Sequence, residues 1–381
     1  MHLAVPREIV PGEKRVALVP EVIPQLLKMG HTVAVETGAG LRAGFPDDAY
    51  TSAGAAMVTD AGAVYANAEM VLKVLRPDAE SELPYIKHGA VLIGLLGPAG
   101  DPEFFQRAAE AGLTVLSMEL VPRTTRAQMM DALSSQSTVA GYKAVLLAAN
   151  ALQKFFPMLM TAAGTVRPAR VLVIGAGVAG LQAIATARRI GAVVEAFDTR
   201  PVVKEQVKSL GATFVELDVD THDAEDSGGY AKELAEEHIR REKELIHERA
   251  RLADVVITTA LVPGKRAPVL VTGETVAAMK PGSVIVDLAG EQGGNCELTE
   301  PGATVERHGV TIIAPLHISS QLAYHSSQMY AKNLSALIAL LTKDGKLNLD
   351  MNDDIIAAVT VATGGEIRNQ SIRNRLVGAQ P

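Results

Sequence analysis

The chain has 381 residues, 48% hydrophobic and 21% charged, with a formal net charge of −7 at pH 7. That length exceeds one ordinary core and predicts two domains. The acidic balance, the lack of tryptophan and the 4% aromatic content exclude nucleic acid as a bulk partner.

No run of about 18 apolar residues occurs, so no transmembrane helix is expected. The opening MHLAVPREIVPGEK has neither the basic flank nor the long apolar core of a signal peptide. The single cysteine, Cys296, excludes an internal disulfide and fits a reducing compartment. No His–Asp context marks it as a nucleophile, and it reads as a small packing residue.

The first third alternates apolar runs with helical patterns. HLAVP (2–6), HTVAVE (31–36), MVLKVL (70–75), AVLIGLL (90–96) and LTVLSM (113–118) read as buried parallel strands. EVIPQLLKMG (21–30) reads as an amphipathic helix ending at Gly30. A long helical pattern over 134–156 suits a bridge between domains. A second series follows: RVLVIG (170–175), VVEAFD (193–198), TFVEL (213–217), DVVITTA (254–260), SVIVDLA (283–289) and VTIIAP (310–315). Within it, THDAEDSGG (221–229) reads as a polar loop, and 230–252 mixes charge signs at helical spacing like a solvated helix. Another long helical pattern follows Ser319.

Strands alternating with helices imply βαβ units and doubly wound sheets. The expected fold class is α/β, with two Rossmann-like doubly wound domains joined by long helices and a cleft between them. The first domain is expected over 1–133, completed by 320–381. The second, a nucleotide-binding domain with the bridging helix, is expected over 134–319.

GAGVAG at 175–180 follows a strand pattern, opens a helix pattern, and precedes a second strand that ends in Asp198. A lone G-x-G-x-x-G is weak, but this context is that of a dinucleotide site. Gly175 permits the tight turn, Gly177 lets backbone N–H groups approach a pyrophosphate, and Gly180 lets the helix sit close to the sheet. The helix N-terminus offers free donors and partial positive charge. Asp198 accepts from ribose hydroxyls and repels a 2′-phosphate, which favours NAD over NADP; Arg200 could soften that repulsion. The bland alternative is the same fold without a nucleotide.

Substrate-side acid–base groups are harder to find. Arg15 and Lys73 sit at first-domain strands, where an amino-acid dehydrogenase would bind a carboxylate. A partner of suitable pKa would then be needed, yet the fourth run leads into Gly97 and Pro98. His317, after the last strand pattern, reads as structural. Direct hydride exchange between two nicotinamides needs positioning more than acid–base catalysis. VPRTTRAQMMDALSSQS (121–137) presents Arg123, Gln128, Asp131 and Ser134 for that purpose. Its alternative reading is ordinary helix capping by Ser134 or Ser135.

Six phrases carry a resemblance across nearly the whole chain: PREIVPGEKRVALVPE, MELVPRTTRAQMMDALSSQS, MTAAGTVRPARVLVIGAGVAGLQAIATARRIGA, SGGYAKE, ITTALVPGKRAPVL and GSVIVDLAGEQGGNCE. Together they resemble the NAD(H)-binding component of proton-translocating nicotinamide nucleotide transhydrogenase, whose relative is alanine dehydrogenase. The resemblance implies an enzyme active only with its partners, passing hydride from NADH to NADP⁺ held by a partner component. A membrane-embedded component would couple this to proton movement. It also implies a homodimer, cytoplasmic and peripheral on the inner face of the cell membrane, with no metal.

By that resemblance Arg123, Gln128, Asp131 and Ser134 are the catalytic positions, and with Leu133 they form the loop holding the nicotinamide end. Gly175, Gly177, Val178, Gly180, Asp198, Thr199 and Arg200 fall around the pyrophosphate and adenosine ribose. Gly229 and Tyr230 fall on a loop that folds over nucleotide, and Leu261 on the adenine side. Arg15 and Lys73 stand where alanine dehydrogenase grips its substrate, but its catalytic histidine falls at Gly97 and its catalytic aspartate at Glu291. LHIS at 316–319 departs from the proline-containing turn usual in the transhydrogenase. Ending at Pro381 without a hydrophobic tail resembles the form whose membrane segments are separate chains. The alternatives are a free-standing alanine-type dehydrogenase and a non-catalytic nucleotide sensor.

Overall fold

A computed structural model describes residues 1–216, 230–261 and 264–377, with the side chains of 230–238 outside the description. The chain folds as two compact units, one of Met1–Gln136 with the segment from Ser319 onward, the other of Ser137–Ile318. The first boundary falls within the helix Ala132–Ala151 and the second within the 3-10 segment Ile318–Leu322.

In the first unit β1 (His2–Val5), β2 (Thr32–Glu36), β3 (Ala56–Val58), β4 (Met70–Leu75), β5 (Val91–Leu95) and β6 (Thr114–Ser117) lie parallel in the order 3-2-1-4-5-6. Two later strands, Thr360–Thr363 and Glu366–Ile367, extend the β6 edge antiparallel. Central strands of such a sheet are covered on both faces, so they read as continuous apolar runs and not as alternations. The run MVLKVL is buried at every position but the last. The helix Ala323–Leu341 returns Tyr330, Leu334, Leu337 and Ile338 to the core beside Leu3, Val5 and Leu72. Full burial of each such aliphatic side chain is worth about 1.5–3 kcal/mol. The Tyr330 hydroxyl donates to the Lys73 carbonyl at 2.8 Å, satisfying the polar tip that this packing buries.

The second unit begins with the rest of the helix Ala132–Ala151, followed by a hairpin of β7 (Leu159–Thr161) and β8 (Gly164–Val166). Its main sheet contains β9 (Arg170–Ile174), β10 (Val193–Phe197), β11 (Thr213–Val215), β12 (Val255–Thr258), β13 (Val284–Asp287), β14 (Thr304–Arg307) and β15 (Val310–Ile313). The order is 11-10-9-12-13-15-14, parallel except for β14 at the edge. Its first five strands repeat the 3-2-1-4-5 order of the first unit. At Gly141, within Ala132–Ala151, a Cβ would lie 2.0 Å from the Ala179 carbonyl oxygen, so only glycine allows the helix Val178–Arg189 this close.

The helical pattern expected over 134–156 ends at Ala151 instead. Pro157 disfavours helical geometry at the residue before it, and Lys154 leaves the helical path to pair with Asp254 at 2.8 Å. The strands β3, β7, β8 and β14 do not emerge from the sequence pattern. They are short and mostly exposed or half-buried, and so carry no buried apolar run.

Candidate functional site

Gly175, Asp198 and Leu261 follow β9, β10 and β12, three neighbouring parallel strands, so all three lie at carboxyl ends where the strand order reverses. Gly175 adopts φ +96°, and a Cβ there would sit 2.5 Å from Thr259 Oγ1. A Cβ on Gly180 would sit 1.8 Å from the Gly175 carbonyl oxygen. Both glycines are therefore demanded by the protein's own packing.

Gly177 is different. Its φ is ordinary at −75°, and the nearest atom to a Cβ would be Arg200 Nη2 at 4.0 Å. Among the described residues nothing requires glycine here. It starts the helix Val178–Arg189 without a side-chain cap, which leaves backbone donors free at the N-terminus. The open space and free donors suit a pyrophosphate brought against the backbone. Val178 and Leu261 add exposed apolar surface at 42% and 46%, and Thr199 is exposed.

Asp198 is nearly enclosed and fully engaged. Oδ2 accepts from Ala176 N at 2.7 Å and from Arg200 Nη2 at 2.9 Å. Oδ1 accepts from Arg200 N and Arg200 Nε, both at 2.9 Å. Burial pushes this carboxyl upward, but the bonds from Arg200 and Ala176 outweigh it and hold the pKa below the ordinary aspartate value. The sequence suggests Arg200 only as a moderator; the structure makes it the direct partner of Asp198. Gly229 lies outside the described residues, as does the side chain of Tyr230, whose backbone opens the helix Tyr230–Ala250.

In the first unit Pro122, Arg123, Thr124, Thr125, Gln128 and Asp131 line a hollow of about 290 Å³. Arg123, Gln128 and Leu133 are exposed. Asp131 turns inward: Oδ1 accepts from Ser134 N at 2.8 Å, and Oδ2 from Ser134 Oγ at 2.5 Å. Asp131 thus caps the helix Ala132–Ala151, correcting the reading of Ser134 or Ser135 as the cap. Ser135 instead directs its single hydroxyl proton at Asn333 Oδ1, 2.7 Å away, with the Ala132 carbonyl also in reach at 3.0 Å.

The loop is held from behind by groups that sequence reasoning missed. Arg126 pairs with Asp353 at 2.6 and 2.8 Å and with Asp354, while Asn333 donates to the Met129 carbonyl at 2.8 Å. The opposite charges of RTTR and NDD were the available signal, but more than 220 residues separate them.

Arg15 and Lys73 are already partnered. Arg15 donates to both Glu13 carboxylate oxygens, at 2.8 and 2.6 Å, and to Gln136 Oε1 at 2.8 Å. Lys73 is wholly buried, bonded to Glu82 at 2.7 Å and ion-paired with Glu8 at 3.3 Å. Burial opposes its charge, yet the two carboxylates hold its pKa above the ordinary lysine value. Gly97 has φ +66°, no described atom within 4 Å of where a Cβ would point, and an N–H that donates to Glu119 at 2.7 Å. Glu291 accepts the backbone N–H of His317 at 2.7 Å, and His317 sits in the left-handed region at φ +46°. The departing LHIS phrase therefore makes a turn pinned by Glu291. Cys296 is buried, which pushes its thiol up to about 11 and leaves it no role as a nucleophile.

Known proteins share this organisation. The profile described as the alanine dehydrogenase/PNT N-terminal domain matches residues 4–140, and the corresponding C-terminal domain profile matches 144–370. The chain is 48% identical over 374 residues to an NAD(P) transhydrogenase subunit alpha chain of Rhodospirillum rubrum, covering 96% of this chain and 97% of that one. A transhydrogenase structure from Sinorhizobium meliloti superposes with a TM-score of 0.88 at 45% identity, covering 96% of this chain and all of that one. The alanine dehydrogenase of Bacillus subtilis is 37% identical over 320 residues, covering 81% of this chain and 77% of that one. Two domain profiles in tandem over almost the whole length, with relatives at this identity, place the chain in the alanine dehydrogenase/PNT family.

Proposed function

We propose that this chain is the NAD(H)-binding component of a proton-translocating transhydrogenase, passing hydride from NADH to NADP⁺ held by a partner component. The observation that carries this choice within the family is Gly97. The resemblance puts the catalytic histidine of alanine dehydrogenase there, and the chain offers a glycine with no described atom within 4 Å of its Cβ position. Glu291, at the aspartate position, is committed to the His317 turn. Without that pair, amino-acid oxidation lacks the acid–base groups that the resemblance places at these two positions.

Gly175, Gly177, Val178 and Gly180 would hold the pyrophosphate, Asp198, Thr199 and Arg200 the adenosine ribose, and Leu261 the adenine. Bound NADH supplies a hydride. Arg123 and Gln128 would then orient the nicotinamide amide, their donors and acceptors being uncommitted among the described residues. Asp131 would keep Ser134 and the helix start fixed beneath them. This arrangement works by placement, and placement is what direct hydride exchange requires.

No described helix is long and apolar enough to cross a membrane. In this reading, which rests on the resemblance, a separate membrane component would carry the proton, with this chain cytoplasmic and peripheral to it. A homodimer belongs to the same reading, and the β7–β8 hairpin with its approach offers exposed apolar surface at Met158, Met160 and Val166. A monomer in sedimentation at micromolar concentration would remove that element. The central test mixes the purified chain with an NADP(H)-binding component and follows hydride exchange, with L-alanine and NAD⁺ as a parallel assay. Exchange without alanine oxidation is expected; alanine-dependent NADH formation linear in enzyme would overturn the proposal.

A further inference from the structure

Ribose hydroxyls are donors, and the acid expected to receive them has no acceptor left. A carboxylate offers about four acceptor sites. Asp198, with 6% of its side chain exposed, fills them with four N–H groups. Two come from the backbone of Ala176 and Arg200, which the turn fixes. The other two come from the Arg200 guanidinium, whose side chain is 54% exposed and free to leave. Its Nη2 also lies 4.0 Å from the Cβ position of Gly177, so the guanidinium covers the glycine turn as well as the acid.

We propose that Arg200 is a displaceable plug of the ribose site, and that its release sets the margin between a 2′-hydroxyl and a 2′-phosphate ligand. This rests on the reading of the glycine turn and Asp198 as the adenosine end of the nucleotide site. A 2′-hydroxyl ligand must compete with the guanidinium for the carboxylate, so Arg200 weakens it. The competition is modest, because the guanidinium half of the pair is already 54% exposed and is readily solvated when it leaves. A 2′-phosphate ligand draws the guanidinium away as its own planar partner, which offsets repulsion by Asp198. Arg200 therefore acts with opposite sign on the two ligand classes, which an ordinary binding contact or a purely structural residue cannot do.

ADP-ribose and its 2′-phosphate derivative probe the adenosine end without the nicotinamide. Calorimetric titration of the full chain compares wild type, Arg200→Ala and Arg200→Lys, with thermal melts confirming the fold. For Arg200→Ala, ADP-ribose should bind about threefold tighter, and the 2′-phosphate derivative about tenfold more weakly. The preference then widens by about thirtyfold. Arg200→Lys keeps the charge without the fork and should fall between, and it carries the test alone if the alanine variant does not fold. Both ligands weakening in proportion, or neither changing, overturns the plug while leaving the nucleotide site standing. Wild type that fails to bind ADP-ribose at millimolar concentration overturns the site reading and the plug with it.

Discussion

The two units share a sheet order and even a local device, yet they differ in what that device can bind. In the first unit the residue two beyond β1, Arg7, donates its N–H at 2.8 Å to Glu36, the last residue of β2. In the second unit the residue two beyond β9, Ala176, donates its N–H at 2.7 Å to Asp198, one residue past β10. Each acid is also approached by an arginine: Arg7 Nε at 3.7 Å from Glu36, and Arg200 at 2.9 Å from Asp198. The difference is one residue earlier in the chain. Pro6 in the first unit holds φ negative and sends the chain on without a helix, whereas Gly175 turns at φ +96° into the helix Val178–Arg189. The strand order is therefore a scaffold, and the proposed anion site rests on the turn chemistry placed on it.

The comparison breaks most violently at Gly180. Gly180→Ala drives a methyl into the Gly175 carbonyl and should destabilise the chain by about 3 kcal/mol, the upper end of overpacking, with NADH binding lost. Its counterpart is Gly177→Ala, where the described residues leave room. The melting temperature should hold while NADH affinity falls about tenfold through lost backbone approach. Melting and titration of the two variants separate a glycine needed by the fold from one needed by the ligand. Equal behaviour of the pair would show that both are packing residues.

The next effect sharpens the contrast between placement and binding. Gln128→Asn in the first unit should leave NADH affinity within a few-fold and slow single-turnover hydride exchange by about 10²-fold, the scale of a roughly 1 Å misplacement. Stopped-flow with an NAD analogue isolates that step, and a loss shared equally by affinity and rate would make this loop a binding element. The two acids supply the next comparison. Asp198→Ala should weaken NADH by about 1–3 kcal/mol, whereas Glu36→Ala should not change nucleotide affinity. A loss of nucleotide affinity on changing Glu36 would show that the scaffold alone suffices.

How much of this was legible follows the same physics. Central strands such as MVLKVL and RVLVI declare themselves because burial on both faces demands nearly continuous apolar runs, interrupted only by the ion-paired Lys73 in the first and opened by the exposed Arg170 in the second. The edges β3 and β14 and the β7–β8 hairpin do not, because exposed strands take almost any residue. Gly175 was readable from turn geometry, Gly180 from the close packing of its helix, and Asp198 from its place at the end of the next strand. The Arg126–Asp353 tie and the saturation of Asp198 were not. Each depends on where side chains point after folding, which spacing in the chain does not encode.

The smallest expected effect concerns how each unit fixes its site. The glycine turn is held by backbone geometry, whereas the Arg123–Gln128 loop is tied at its back by Arg126 to Asp353 and Asp354 on the surface. The Arg126 guanidinium lowers the Asp353 carboxyl to about 2. A depressed carboxylate contributes its tie fully above its unfolded value, near 3.8, and loses it as pH falls through about 2. Across neutral pH the tie is therefore constant, and exchange should show no pH dependence from this source. Added salt is different, because an exposed pair is screened once the Debye length falls to a few ångströms, about 3 Å at 1 M. Arg126→Ala should slow single-turnover exchange by only a few-fold, since exposed ion pairs contribute little and the Asn333 bond to Met129 remains. In the variant the Asp353 titration, followed by carbon NMR, should move up toward the ordinary aspartate range. Adenosine-end affinity, measured with ADP-ribose, should be untouched by the same substitution. A variant that lost ADP-ribose affinity as well as exchange rate would mean that the two sites are not fixed independently, each by its own unit.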